Sequence, residues 1–170
     1  MGHLVFIALL VVLLLGSGGY ALLSGSLPKG SGHSSDGPSV STVLGTRLDL
    51  SGKGLAQVPG YVFARADVEV LDLSRNNLSG ALPAEVRRLS RLTTLDLSDN
   101  HFTGVPAEVG QLAQLEVLDL SNNPITGLPH ELGNLKNLRT LDLSGTDYSE
   151  YDLAIIRESL GEGVDIKTDK

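Results

Sequence analysis

The chain has 170 residues, a formal charge of −7, a hydrophobic fraction of 41%, an aromatic fraction of only 4%, and no cysteine. That length holds one domain and an appendage. An acidic balance without a basic run excludes a nucleic-acid binder, which needs clustered Lys and Arg, and the lack of cysteine excludes disulfide caps, thiolate zinc sites and thiol catalysis.

From the N-terminus, Leu4 to Leu23 carries no charge, and Leu4 to Leu15 is apolar without a break. Twenty helical residues reach about 30 Å, one hydrocarbon core, so residues 1–23 read as a single-pass transmembrane anchor. The alternative is a cleavable signal peptide with Leu4–Leu15 as its apolar core and Ser17 and Gly19 before the cut. The remainder is expected outside the cytoplasm, membrane-anchored in the first case and secreted in the second; the alternative for an anchor is a cytoplasmic repeat domain, since Lys29 lies on the C-terminal side of the segment. The stretch SGSLPKGSGHSSDGPSVST from Ser24 makes residues 24–43 a flexible Gly/Ser-rich linker.

The next hundred residues repeat one text. Copies begin GTRLDLSGKGL at Gly45, VEVLDLSRNNL at Val68, LTTLDLSDNHF at Leu92, LEVLDLSNNPI at Leu115 and LRTLDLSGTDY at Leu138. In each, L-D-L reads as a short strand whose side chains alternate between faces. Leu71 and Leu73, Leu95 and Leu97, Leu118 and Leu120, and Leu141 and Leu143 point inward, with Asp72, Asp96, Asp119 and Asp142 outward. A lone copy cannot bury its leucines, so successive strands must stack in parallel. A structural column of Asn76, Asn100 and Asn123 falls at the ninth position, where the chain leaves the strand. An inward amide there satisfies backbone groups that would otherwise be buried unpaired. Lys53 and Thr146 replace it in the outermost copies.

The second half of each copy runs from Val58-Pro59, Leu82-Pro83, Val105-Pro106 or Leu128-Pro129 into apolar residues spaced by three. That spacing suits a short helix or 3₁₀ turn with one buried face. Arg65 interrupts the pattern in the first copy. After Tyr148, Ser149 and Asp152 resemble a capping box for a helix to about Leu160, with Leu153, Ile156 and Leu160 on one face. Gly161 ends it, Val164 and Ile166 alternate like a last strand, and residues 149–170 form a cap over the final layer.

The five copies, residues 44–148, resemble the leucine-rich repeat family, whose signature is L-x-x-L-x-L-x-x-N-x-L at a period of roughly 20–29 residues. LSGALP at Leu78–Pro83 is similar to the plant-receptor subtype, and LPHELGNLKNL at Leu128–Leu138 to a shorter subtype of bacterial and intracellular plant proteins. The resemblance implies an α/β leucine-rich repeat solenoid. It would have a curved parallel β-sheet on the concave side, short helices or 3₁₀ turns on the convex side, about five repeats and a C-terminal helical cap. It implies a non-enzymatic recognition module whose concave sheet binds a protein partner. The paired-cysteine caps of secreted plant and animal members are missing, which leans towards a prokaryotic surface protein.

On the concave face the partner-binding candidates form two columns. One is Asp49, Asp72, Asp96, Asp119 and Asp142; the other is Arg47, Val70, Thr94, Val117 and Thr140. Carboxylates about 5 Å apart repel by about 1 kcal/mol per neighbouring pair even in water-like screening, which points to a basic protein surface as partner. The competing reading is structural, with Ser51, Ser74, Ser98, Ser121 and Ser144 bonding those carboxylates. A line of carboxylates does not converge on a cation, so no metal or other cofactor is expected. His130-Glu131 begins like a zinc-protease motif, but Asn134 stands where the second His belongs. No catalytic constellation is present, and an envelope or adhesion spacer without a specific ligand is the alternative to recognition. Asn77-Leu78-Ser79 is a glycosylation sequon, relevant only in a eukaryotic secretory pathway.

Overall fold

The computed structural model describes residues 46–169, so the expected anchor, the linker and the first residues of the opening copy lie outside the described residues. Among the described residues no helix is long and apolar enough to cross a membrane.

Among the described residues, eight strands and one α-helix appear in the order β1 (Thr46–Asp49), β2 (Val68–Asp72), β3 (Ser79–Ala81), β4 (Thr94–Asp96), β5 (His101–Gly104), β6 (Val117–Asp119), β7 (Thr140–Asp142), α1 (Glu150–Leu160) and β8 (Asp165–Lys167). Six of the strands form one parallel sheet in the order β1-β2-β4-β6-β7-β8. Its register is set by the repeat: Leu71 lies beside Leu95, Leu95 beside Leu118, and Leu118 beside Leu141. The leucines therefore stack in columns, and Leu71, Leu95, Leu118, Leu141, Leu73, Leu97, Leu120 and Leu143 are all fully buried.

Opposite the sheet, Gly60–Ala64, Ala84–Arg88, Ala107–Gln111 and His130–Asn134 are single 3₁₀ turns. Proline precedes each one, where its fixed φ suits the entry and its missing N–H costs nothing. Its carbonyl accepts the first turn bond, as from Val109 to Pro106 at 3.1 Å. Val62, Val86, Val109 and Leu132 fill the core from these turns, all fully buried. Arg65, in the column of Leu89 and Leu112, turns out to solvent and pairs with Asp67 at 2.9 Å. Leu48, Leu50, Leu55 and Val58 of the first copy are only partly buried, since no described layer covers them.

At the far end Ser149 Oγ accepts the Asp152 amide at 3.3 Å and starts α1, and Leu153 and Ile156 turn into the core. The Asp152 carboxylate does not return to the cap residue. It takes the amide of Leu128 and the Nε2 of His130, both at 3.3 Å, and so ties the helix start to the last repeat. β8 then adds a sixth strand beside β7.

One element is absent from the sequence reading. β3 and β5 form a separate parallel two-stranded sheet. Their texts, SGA and HFTG, are short and Gly-containing, and SGA holds no β-former. They pair because stacking brings equivalent segments of neighbouring copies side by side.

Candidate functional site

Each L-D-L strand ends the same way. One carboxylate oxygen, Oδ1, accepts both the amide and the hydroxyl of the serine two residues on. The Oγ distances are 2.7 Å for Ser51 to Asp49, 2.7 Å for Ser74 to Asp72, 2.6 Å for Ser98 to Asp96 and 2.6 Å for Ser121 to Asp119. At Asp142 the amide of Ser144 donates at 3.0 Å. The aspartate closes the turn off the strand, as Asp side chains do when they bond backbone two residues ahead. Its second oxygen is left to face outward.

What that second oxygen meets depends on the place in the stack. Arg47 Nη2 lies 2.7 Å from Asp72 Oδ2 and 3.6 Å from Asp49 Oδ2. At the other end Lys167 Nζ lies 3.4 Å from Asp142 Oδ2. Between them, Asp96 and Asp119 have no Lys or Arg within ion-pair reach among the described residues. Burial raises the Asp96 pKa, and the neighbouring charges of Asp119 and Asp72 add to the rise against the hydrogen bonds from Ser98. For Asp142 burial acts the same way, but the bonds from Ser144 and the charge of Lys167 outweigh it and the pKa falls.

The acidic column is therefore not a uniform exposed file. Asp72 is buried, 9% exposed, under the Arg47 guanidinium, which corrects the expectation that it faces solvent. Asp96, Asp119 and Asp142 are half-buried and Asp49 is exposed. Val70, Thr94, Val117 and Thr140 lie in one register row beside them, all half-buried, and Arg47 leads that row at the exposed first strand.

The asparagines sit beneath the strand ends. Asn100 Oδ1 accepts from Leu78, and its Nδ2 donates to the carbonyls of Leu73, Leu97 and Ser98. Asn76 and Asn123 do the same for their own and the preceding copy. Thr146 covers the last such position by donating Oγ1 to Leu143 O at 2.8 Å.

A further column was missed. Gly52, Arg75, Asp99, Asn122 and Gly145 all have positive φ, between 52° and 67°. Glycine, Asn and Asp at the eighth position are the signal for this left-handed turn, and Arg75 is the exception. Asn122 Nδ2 donates to Asp99 Oδ1 at 2.8 Å, which forms a polar rim at the exposed ends of β4 and β6.

The family pattern described as leucine rich repeat matches residues 46–102 and 90–147. Receptor-like protein 18 of Arabidopsis thaliana is 41% identical over 62 residues, which are 36% of this chain and 8% of that protein. The chain thus spans a small part of the length of the curated relatives it matches. A leucine-rich repeat protein of Leptospira interrogans superposes with a TM-score of 0.61 at 37% identity, covering 66% of this chain and 28% of that one. The plant peptide hormone receptor RGFR1 in complex with RGF2 gives 0.58 at 32% identity, covering 71% of this chain and 20% of that one.

Proposed function

Since the chain belongs to the leucine-rich repeat family, we propose that it is a non-enzymatic protein-recognition module that takes a basic, extended segment of its partner across the sheet face. The observation that carries this reading is the unequal compensation of the acidic column. Arg47 and Lys167 cover its ends, and among the described residues Asp96 and Asp119 are left without a cation. Two half-desolvated carboxylates in adjacent strands suit Lys or Arg side chains on a bound segment, because a charge-assisted bond would relieve their mutual repulsion. Thr94 and Thr140 offer hydroxyls beside them, and Val70 and Val117 offer apolar contact. The similarity to a peptide hormone receptor supports a peptide-like partner. Display at a membrane or export is supported by the uncharged Leu4–Leu23 segment and by the similarity to receptor-like proteins.

The surface is small. Six strands with about three outward residues each fall below the 20–30 residues a side of a stable interface, so a single contact is weak and avidity supplies the rest. The Asp–Ser bonds favour a second reading, in which the column only closes turns and the domain is an envelope or adhesion spacer. A displayed library of random linear peptides separates the two. Wild-type chain should enrich peptides with Lys or Arg, and the D96N/D119N double variant should lose that enrichment while remaining folded. No enrichment by the wild-type chain would leave the spacer reading, and equal enrichment by both would put binding away from Asp96 and Asp119.

A further inference from the structure

The six-stranded sheet ends at β8, and no described residue pairs with the far edge of that strand. The ladder shows which groups it presents. The amide of Asp165 donates to Arg139 O at 2.8 Å and the carbonyl of Lys167 accepts from Leu143 at 2.9 Å, so both residues turn their backbone towards β7. Backbone direction alternates along a strand, and the N–H and C=O of Ile166 therefore face outward. The side chains of Asp165 and Lys167 share the outer face of the sheet with Thr140 and Asp142, and Ile166 points inward beside Leu141. Val164 and Ile166 are only half-buried, and with Ala154 of α1 they border an open groove of about 820 Å³ at this end of the stack.

We propose that this edge joins a second copy of the chain, β8 against β8 in antiparallel register about a two-fold axis through the Ile166 pair. An antiparallel pair needs a residue that exchanges both its N–H and its C=O with its opposite number, and Ile166 presents both. Once the axis passes there, the neighbouring positions follow: Asp165 lies opposite Lys167 of the other copy, and Lys167 opposite Asp165. These are the closer, non-hydrogen-bonded pairs, where opposite charges attract and like charges repel. The text D-I-K is thus self-complementary when read against its own reverse. Lys167, already 3.4 Å from Asp142, would bridge its own sheet to that of the other copy. The two half-covered apolar residues of each copy would meet over the groove, and the exposed edge would be paired within a closed dimer. Head-to-tail pairing would instead set β8 against β1, the other edge of the sheet.

The absence of cysteine makes the test clean. Full chains bearing D165C and full chains bearing K167C are mixed in detergent and oxidised. Opposed Cα atoms about 4.5 Å apart lie within disulfide reach, so the mixture should yield about tenfold more covalent dimer than either variant alone. The leader is common to all variants and cannot create that difference. Equal linking in mixed and separate samples, or preferential linking of D165C to R47C chains, would overturn the proposal. Charge exchange gives an independent reading by sedimentation of the full chain. In a D142N background, which removes the carboxylate beside position 167, D165K and K167D should each weaken the dimer, and the double variant should restore it, because the opposed pairs are then merely swapped. A double variant no better than the singles, with unchanged circular dichroism, would also overturn it.

Discussion

Oδ1 of Asn100 accepts the amide of Leu78, 22 residues earlier in the chain, at 3.1 Å. The same side chain donates to Leu73 O, also in the preceding copy, and to Leu97 O and Ser98 O in its own, all at 3.0 Å. One buried amide thereby pairs backbone groups of two layers. It is the polar counterpart of the leucine columns.

Replacing Asn100 with Ala should therefore cost about 2–4 kcal/mol, because several backbone groups lose their partner without access to water. Asn137 makes one exposed bond, to Ala113 O at 2.7 Å, and its replacement should cost under about 1 kcal/mol. Urea unfolding of both variants tests the contrast. Equal losses would mean the asparagine column does not hold the layers together.

Gly110 is buried, and a Cβ there would run into the backbone carbonyl of Glu131 in the next turn. A carbonyl in a packed turn cannot swing aside, so Gly110→Ala should destabilise by about 1–3 kcal/mol. Gly60 occupies the start of an equivalent turn with nothing within 4 Å of its Cβ position. Gly60→Ala should be neutral or should stabilise by about 0.5 kcal/mol through the unfolded chain. A shared response in thermal melting would refute the close stacking of adjacent turns.

The acidic column predicts opposite pH responses from two aspartates in one sheet. Asp96 has a folded pKa above its ordinary 3.8, chiefly from burial. Its contribution to stability is present below the unfolded value and is lost as pH rises through the folded one. Asp96→Asn keeps an oxygen for Ser98, so it should raise stability near neutrality, with the gain fading in acid. For Asp142 burial is outweighed by the bonds from Ser144 and by Lys167, and the folded pKa lies below 3.8. Its contribution is present above the unfolded value and is lost as pH falls through the folded one. Asp142→Asn should lower stability near neutrality and converge on wild type in acid. Urea midpoints measured across that range decide it: the same sign for both variants would show that Lys167 and position in the stack do not set these charges.

The repeat period, the inward leucines, a short helix or 3₁₀ turn behind each proline and the helical cap were legible in the amino-acid text, and so was the family. The reason is physical: each of these side chains packs against its own equivalent in the next copy, so one period specifies every layer. Local chemistry was legible too, since D-L-S closes the same Asp–Ser turn wherever it occurs. What differs between identical copies could be settled only by their order in three dimensions. Arg47 reaches Asp72 across 25 residues and buries it, Lys167 reaches Asp142 from the far end, and among the described residues Asp96 and Asp119 are left uncompensated between them. The β3–β5 sheet and the approach of Gly110 to Glu131 likewise arise only when copies are stacked. A repeating sequence states what each layer is, but a charge's environment depends on its neighbours, and those are assigned by the tertiary fold.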